Sequence, residues 1–327
     1  MKESLILNKI IFYLGYYWYQ LSKKNNHLSF IAFRRLFFKT GGFFNDYINK
    51  KIEKKDSNQY DLSNSIISNL NPVRVNEIVN EIEENGLFIF PEKVDDKVCQ
   101  NLIQLAKETK CNLMPNPRKL PPQKPNFEFP KAVKYQIPEN DLLKNETVQR
   151  LLIDQGFIAI ASSYLKSIPL LDFVTSWWSF PSEKPSNEIA QLYHCDMDRL
   201  KFIKFFIYLT DVNENNGPHC YVRKSHKVLP IPLRKDRRFT DNEIKEIFPS
   251  EDILELTAPK GTLMAIDTRG IHKGLVLKKD YRLIFQIEFA NSLFGKNTPI
   301  PNPFKFSNEF RKAKSKFQII YKRFEER

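Results

Sequence analysis

The chain has 327 residues, of which 42% are hydrophobic and 13% aromatic, so a packed core is expected and a disordered protein is excluded. Its formal net charge of +13, from 51 Lys and Arg against 38 Asp and Glu, favours anionic partners. The four cysteines form no CxxC pair and are too few for a disulfide scaffold, which indicates a reducing, cytoplasmic location.

The positive charge lies mainly at the two ends of the chain. Residues 1–60 contain 11 Lys and Arg against four Asp and Glu, and residues 305–327 contain eight against three. This excess can reflect binding to an anionic surface, or only a Lys-rich source composition. No nucleic-acid recognition motif accompanies it, so no nucleic acid is expected as a partner.

The N-terminal segment from Leu5 to Leu21 is apolar and aromatic, with Lys9 in its middle. It lacks the pattern of a signal peptide, and a lysine at this position disfavours a membrane span. Two interpretations remain: a helix packed on the main domain, or an amphipathic helix on a membrane surface. Residues 51–72 are polar and resemble a linker. We therefore assign residues 1–72 to a basic, aromatic-rich helical extension.

From Val73 the pattern becomes that of a folded domain. The spacing of Val75, Ile78 and Ile82 predicts a helix that Gly86 ends. Further predicted elements are a strand at 87–90, a helix at 95–110, a loop at 114–130, a helix at 145–165 weakened at Gly156, and a strand at 168–180.

Short strands dominate the second half of the chain. They are predicted at 200–210, 218–222, 253–257, 262–267, 274–277 and 281–291, with a basic, partly helical insert at 229–252. This order favours a mainly β fold with flanking helices, in which the core is a double-stranded β-helix, a jelly-roll or cupin-like sandwich. We place this domain at residues 73–295 and a basic C-terminal helix or tail at 296–327.

The most informative motif is the His194-Cys195-Asp196 triplet, which precedes an apolar strand. Residues two apart in an extended chain point to the same side, so His194 and Asp196 can bind one metal ion together. Among the five histidines, His272 is best placed as a third ligand, because it lies between two predicted strands. Two histidines and one carboxylate are the ligand set of non-haem Fe(II) oxygenases. An HxD triplet also occurs by chance, and a lone strand histidine is more often a core or surface residue.

Arg282 lies ten positions after His272, in the apolar stretch DYRLIFQIEF. A buried guanidinium requires an anion, and an arginine on this strand can form a two-pronged pair with the carboxylate of a bound acid. The alternative is an exposed arginine on an edge strand.

Three blocks in the same order resemble the phytanoyl-CoA dioxygenase-like family of Fe(II)/2-oxoglutarate-dependent oxygenases. They are QLYHCDMD at 191–198, FIYLTDVNENNGPHCYVRKSHK at 206–227, and GTLMAIDTRGIHKG with the later YR at 261–282. The helix and strand around Gly86 are also similar to the first elements of the family, so the resemblance covers roughly residues 73–292. It implies Fe(II), 2-oxoglutarate as co-substrate, and O₂.

The resemblance also implies a role for each matching position. His194, Asp196 and His272 would bind iron, with no catalytic side chain beyond this metal centre. Arg282 would bind the distal carboxylate of 2-oxoglutarate, and His226 matches a structural position. The candidate pocket residues are Trp177, Gln191, Tyr193 and His219, for which packing in the core or exposure at the surface is the alternative.

The chain departs from the family at one loop. The family often has Pro-Gly before Ser225-His226, where this chain has Arg223-Lys224. Two added positive charges at a predicted substrate gate favour an anionic substrate. Family members that halogenate lack the carboxylate that Asp196 supplies here, so hydroxylation is favoured over halogenation.

The predicted function is therefore hydroxylation of an aliphatic C–H bond in a small organic substrate, a candidate for carrying negative charge, with release of succinate and CO₂. The alternative is a non-catalytic metal- or ligand-binding protein on the same fold, associated with a membrane or a partner through its basic termini. A small molecule is the expected partner, and peripheral membrane contact through the N-terminus is a second candidate. The substrate and the oligomeric state stay open.

Overall fold

The computed structural model describes residues 2–327. Its α-helices are α1 (Lys2–Ser22), α2 (His27–Thr40), α3 (Phe43–Ile52), α4 (Pro72–Asn85), α5 (Asp96–Glu108), α6 (Glu139–Leu142), α7 (Glu146–Leu152), α8 (Gln155–Leu165), α9 (Asp241–Lys245) and α10 (Asn308–Lys316). Its strands are β1 (Leu87–Lys93), β2 (Asn112–Met114), β3 (Lys134–Gln136), β4 (Leu170–Ser179), β5 (Phe202–Tyr208), β6 (His219–Val222), β7 (Ile253–Leu256), β8 (Thr262–Ile266), β9 (His272–Gly274) and β10 (Arg282–Ala290).

The strands form two antiparallel sheets. The larger sheet has seven strands in the order β1-β8-β5-β10-β4-β3-β2, and the smaller has three in the order β7-β6-β9. Non-sequential neighbours bring distant parts of the chain side by side. The predicted mainly β fold with flanking helices is confirmed, and the arrangement is consistent with a cupin-like fold.

Strand β10 is the centre of the larger sheet. It pairs with β4 on one side and β5 on the other, and every residue of β5 and β10 is buried. The register places Arg282 opposite Ser179, and Glu288 opposite Lys204. Because side chains alternate along a strand, Arg282 and Glu288 point to the same side of the sheet. Strand β10 therefore places one basic and one acidic side chain in the interior.

Helix α4 leads the chain into the first strand, as predicted. The Asn71 side chain accepts hydrogen bonds from the Val73 and Arg74 amides at the helix start. Gly86 ends the helix with a left-handed φ of +88°, a conformation that glycine adopts without strain. The chain then passes directly into β1, which pairs with β8.

The helix predicted at 145–165 is in fact two helices, α7 and α8. The Asp154 carboxylate accepts hydrogen bonds from the Gly156 and Phe157 amides and thus starts a new helix. Gly156 was expected to be the weak point, but it lies inside α8, where a Cβ would stand 2.2 Å from Ser65 Oγ. The glycine therefore permits a close approach and does not break the helix.

One further strand prediction was wrong in its bounds, and the predicted C-terminal helix or tail is helical over only part of its length. The strand placed at 274–277 lies at His272–Gly274, because these residues pair with β6. The C-terminal tail is helical only at Asn308–Lys316, and turns follow it. In that tail Phe310, Tyr321 and Phe324 are buried in the main core, so packing decides its path.

Helices α1, α2 and α3 pack against the segment that carries the HxD triplet. One buried cluster contains Phe12, Phe33 and Phe37 of these helices together with Cys195 and Met197. The N-terminal helices and the residues around His194 therefore share a core. No helix within residues 2–327 is long and apolar enough to cross a membrane.

Candidate metal centre

His194 and His272 lie directly opposite each other on paired backbone segments. The His194 amide donates to the His272 carbonyl at 3.0 Å, and the His272 amide donates back at 2.9 Å. The Asp196 amide donates to the Thr268 carbonyl at 2.8 Å, which fixes the third residue on the same side. One ligand atom from each of His194, Asp196 and His272 lies within 4.8 Å of the other two. A metal ion with bonds of roughly 2 Å can therefore reach all three.

Backbone carbonyls orient both imidazoles. His194 Nδ1 lies 2.8 Å from the Leu192 carbonyl, and His272 Nδ1 lies 2.9 Å from the Gly270 carbonyl. A carbonyl only accepts, so each Nδ1 carries the hydrogen and each Nε2 keeps its lone pair. Each Nε2 lies 3.4 Å from an oxygen of Asp196. Both lone pairs are thereby available to one metal ion.

The protonation states match this donor set. Burial, with a smaller contribution from the neighbouring His272, lowers the pKa of His194 to about 4, so the imidazole is neutral at pH 7. Burial opposes ionisation of Asp196, but Lys204 and His272 outweigh it and keep the pKa of the carboxyl well below its usual value. Neutral imidazole and an ionised carboxylate are the forms that bind Fe(II).

Lys204 was not singled out in the sequence, yet it contacts the proposed ligand directly. Its Nζ lies 2.7 Å from Asp196 Oδ2, 3.0 Å from Asp198 Oδ2 and 3.3 Å from Glu288 Oε2. Burial opposes its charge, but these carboxylates outweigh burial and raise the pKa of Lys204 well above its ordinary value. Its only signal was a lysine within the apolar strand LKFIKFFIYL.

A cavity of about 180 Å³, here called the inner cavity, connects the three proposed ligands with Arg282. Trp177, Gln191 and His219, three of the four candidate pocket residues, also line it. Its further polar lining comes from Lys134, Gln136, Thr175, Ser179 and Gln286. The strands β3, β4 and β10 supply this wall, so the cavity lies on the face of the larger sheet.

Arg282 is only 5% exposed and points into the inner cavity. Its Nη2 is 3.5 Å from Ser179 Oγ, while Nε and Nη1 have no hydrogen-bond partner within residues 2–327. Lys134 lines the same cavity, with Nζ 4.5 Å from the centroid of the Trp177 ring. A buried guanidinium with two free donors costs free energy unless an anion accepts from it. This end of the cavity therefore fits the carboxylate of a bound acid such as 2-oxoglutarate.

His219 is buried beside the proposed ligands and is not a surface residue. Its ring stacks on His272, with centroids 5.3 Å apart and planes 17° apart. Burial and the nearby cationic groups lower the pKa of His219 well below its usual value, so the ring is neutral. Its Nε2 has no hydrogen-bond partner in the described part of the chain and is free to contact a ligand in the inner cavity.

Tyr193 does not belong to the pocket, which corrects one candidate. Successive side chains point to opposite sides, so Tyr193 points away from the cavity that His194 faces. Its hydroxyl lies 3.0 Å from Cys220 Sγ, and its ring packs in the core shared with the N-terminal helices. Lys273 Nζ lies over the ring at 4.4 Å. The role of this residue is packing.

Neither Arg223 nor Lys224 lines the inner cavity. Arg223 Nη2 donates to the Glu251 carbonyl at 2.6 Å, and Lys224 Nζ lies 3.9 Å from Glu84. His226 Nε2 contacts the Glu83 carbonyl at 3.2 Å, in agreement with a structural role. These basic residues join the loop to neighbouring elements, so they do not support the expected charged substrate gate.

A second cavity of about 370 Å³, here called the outer cavity, meets the inner one at His194 and Asp196. Helix α2 lines it with Phe30, Arg34 and Phe38. The remaining charged lining residues are Asp198, Asp236, Arg237, Arg238 and Lys296. No local pattern in residues 1–60 indicated this contribution, because it depends on how α2 packs.

Together the fold and site define a class: antiparallel β proteins in which two histidines and a carboxylate are placed to hold one metal ion. The family model of phytanoyl-CoA dioxygenase (PhyH) matches residues 82–275, more than half of the chain. The chain belongs to this family. No curated protein matches the sequence.

Solved structures match the fold at low identity. The non-haem alpha-ketoglutarate-dependent epimerase SnoN from nogalamycin biosynthesis matches with 16% identity and a TM-score of 0.47, over 67% of this chain and 84% of that one. HygX from Streptomyces hygroscopicus, solved with nickel and 2-oxoglutarate bound, matches with 12% identity and a TM-score of 0.48, over 72% and 93%. Likenesses at these scores do not identify a reaction.

Proposed function

We propose that the chain is an Fe(II)/2-oxoglutarate-dependent oxygenase that hydroxylates an aliphatic C–H bond of a small organic substrate. The reaction takes up O₂ and 2-oxoglutarate and releases succinate, CO₂ and the alcohol. One observation carries the proposal: His194, Asp196 and His272 meet in a cavity that ends at the two free donors of Arg282. A proposed metal site and a proposed anion site thus line one cavity of about 180 Å³.

Each group has a role in this proposal. The Nε2 atoms of His194 and His272 and the Asp196 carboxylate bind iron, and Arg282 with Lys134 binds the far carboxylate of 2-oxoglutarate. The iron and the co-substrate supply the activation of O₂. The chain itself binds and orients the co-substrate, excludes water from the inner cavity and holds the substrate beside the metal. Asp196 supplies the carboxylate that halogenating members of the family lack, which favours hydroxylation.

The proposal includes the architecture around the site. The two sheets form a double-stranded β-helix, a jelly-roll domain at residues 73–295. Residues 1–72 and 296–327 flank it as helical extension and basic tail. The antiparallel pairing of all ten strands and the buried face shared by β5 and β10 support this arrangement.

The test is formation of succinate from 2-oxoglutarate by the purified chain with Fe(II) and O₂. Oxygenases of this kind turn over the co-substrate slowly without substrate, so we expect succinate from the wild type and none from His272→Ala. His27→Ala is the matched control, because His27 is exposed at the start of α2. Binding of metal and 2-oxoglutarate without succinate, with or without candidate substrates, would favour a non-catalytic binding protein.

A further inference from the structure

Helix α2 and the insert at 229–252 close the outer cavity from two sides. Arg34 of α2 makes a two-pronged ion pair with Asp236 of the insert, with Nε 3.0 Å from Oδ2. Both side chains line the cavity. This pair connects the N-terminal helices to the insert directly beside the metal centre.

The position of α2 relative to the proposed ligands is fixed by packing. Phe33, Leu36 and Phe37 are buried in the cluster that also contains Cys195 and Met197. Cys195 lies between His194 and Asp196 in the chain. Movement of α2 would therefore disturb the same core that holds the triplet. The N-terminal helices are part of the cavity wall and do not lie apart from the site.

Among the described residues that line the outer cavity, every cationic side chain but one pairs with an acidic side chain. Asp236 pairs with Arg34, and Asp198 pairs with Lys204 and Lys296. Arg237 is turned to Glu243. The half-buried Arg238 guanidinium makes no hydrogen bond and no ion pair within residues 2–327. Burial lowers the pKa of Arg238, against a smaller opposing effect of Asp196, and the group stays charged at neutral pH.

We propose that the outer cavity is the substrate site and that Arg238 binds an anionic group, a carboxylate or a phosphate, on the substrate. Phe30 and Phe38 of α2 contact the apolar part of the same molecule. Arg238 and the two phenyl rings would then hold the substrate at two points, which would place one of its C–H bonds beside His194 and Asp196. This inference rests on the proposed function only for the presence of a metal ion beside the bound substrate.

The experiment uses three probes that share one alkyl chain: octanoate, octyl phosphate and octanol. Their binding to the full chain is measured by calorimetry, with Mn(II) and 2-oxoglutarate bound and again without them. A charge-assisted pair contributes roughly 1.5–3 kcal/mol, so we expect both anions to bind about ten- to a hundredfold tighter than octanol. The tighter of the two anions identifies the carboxylate or the phosphate as the preferred group.

Three variants show which residues produce the preference for anions. Arg238→Gln should remove the preference for anions, while binding of Mn(II) and 2-oxoglutarate stays unchanged. Lys235→Gln makes the same charge change in the same insert at an exposed position outside the cavity and should keep the preference. Phe30→Ala should weaken all three probes, including octanol, because it removes apolar contact.

Equal binding of octanol and the anions, no binding of any probe, or an unchanged preference in Arg238→Gln would overturn the inference. Failure of Mn(II) and 2-oxoglutarate to bind would instead contradict the proposed function. The preference for anions is also measured without Mn(II) and 2-oxoglutarate. It therefore tests the substrate site even if these two ligands fail to bind.

A different observation supports a second inference. Helix α1 buries Phe12 and Tyr19 but leaves its opposite face uncovered within the described structure. The apolar residues of this face, each more than half exposed, are Ile6, Leu7, Ile10, Leu14, Tyr17, Trp18 and Leu21. The first 60 residues also carry an excess of seven positive charges, 11 Lys and Arg against four Asp and Glu.

We infer that this face binds the surface of an anionic membrane. Trp and Tyr favour the membrane interface, and the excess positive charge complements anionic headgroups. A second copy of the chain is a poorer occupant, because two positively charged segments would face each other.

The test is co-sedimentation of the full chain with vesicles of phosphatidylcholine, with and without phosphatidylserine. We expect binding only with phosphatidylserine, weakened by salt and lost in Leu14→Glu. Ile319→Glu introduces the same charge at an exposed apolar residue of the tail and should bind like the wild type. Absence of binding to phosphatidylserine vesicles, or a dimer in solution that Leu14→Glu dissociates, would overturn the inference.

Discussion

The ammonium group of Lys204 lies 2.7 Å from Oδ2 of Asp196, so a buried cation contacts the carboxylate that we propose as a metal ligand. The same Nζ also contacts Asp198 and Glu288. Lys204 thus offsets negative charge in the interior before any metal binds. Removal of one partner from a buried ion pair leaves the other charge without compensation.

Lys204→Met should therefore lower the free energy of unfolding of the metal-free protein by about 3–5 kcal/mol. Mn(II) should recover part of this loss, because a divalent cation compensates the same carboxylate. The measurement is urea unfolding with and without Mn(II). Lys201→Met is the control. Lys201 lies three residues before Lys204, and its Nζ donates a hydrogen bond only to the Tyr164 carbonyl. Equal losses in both variants, both insensitive to Mn(II), would contradict this account of Lys204.

Arg282→Gln should weaken binding of 2-oxoglutarate by about a hundredfold, because charge-assisted hydrogen bonds from two free donors are lost. Binding of Mn(II) should stay within a factor of about two, since Arg282 does not belong to the proposed ligand set. Calorimetry measures both affinities. Arg223→Gln makes the same change on the loop that the sequence indicated as a substrate gate. It should leave both affinities unchanged, and a comparable loss there would show that the co-substrate site is misassigned.

Lys134 should make co-substrate binding depend on pH. Burial, with a smaller effect of Arg282, lowers the pKa of Lys134 to about 8. The group is charged below pH 8 and loses its charge as the pH rises through 8, so affinity for an anion falls in that direction. Between pH 7 and pH 9 the dissociation constant of 2-oxoglutarate should rise by up to about tenfold.

The same titration in Lys134→Met should start from weaker binding at pH 7 and show no rise between pH 7 and pH 9. Lys131→Met, at an exposed position of the preceding loop, should keep the wild-type profile. A rise that persists in Lys134→Met would assign the pH dependence to another group.

Lys224 has a left-handed φ of +64°, at the position where the family often has glycine. For a residue with a Cβ this conformation costs roughly 1 kcal/mol. The exposed contact between Lys224 Nζ and Glu84, at 3.9 Å, contributes little to stability. Lys224→Gly should therefore raise the free energy of unfolding by about 0.5–1 kcal/mol, measured in urea. Lys224→Ala keeps the Cβ and should give no gain. A gain of equal size in Lys224→Ala would assign the effect to removal of charge.

Much of the fold could be predicted because its signals are local. The helix before Gly86 and the buried strand after it follow from residue spacing and from one glycine. The prediction of a single helix at 145–165 was wrong, because the Asp154 side chain caps the start of a second helix within that range. The predicted helix or tail at 296–327 is helical only at Asn308–Lys316, because Phe310, Tyr321 and Phe324 pack into the main core, which local periodicity does not report.

By itself, the sequence determined the donor types of the site. Residues two apart on an extended chain share a side, so the sequence pairs His194 with Asp196, and an arginine within an apolar strand predicts a buried cation at Arg282. Only the tertiary structure decided that Lys204 contacts Asp196 and that α2 and Arg238 line a cavity shared with the proposed metal ligands. Such contacts join segments far apart in the chain, and their positions are set by the packing of whole elements and not by the spacing of neighbouring residues.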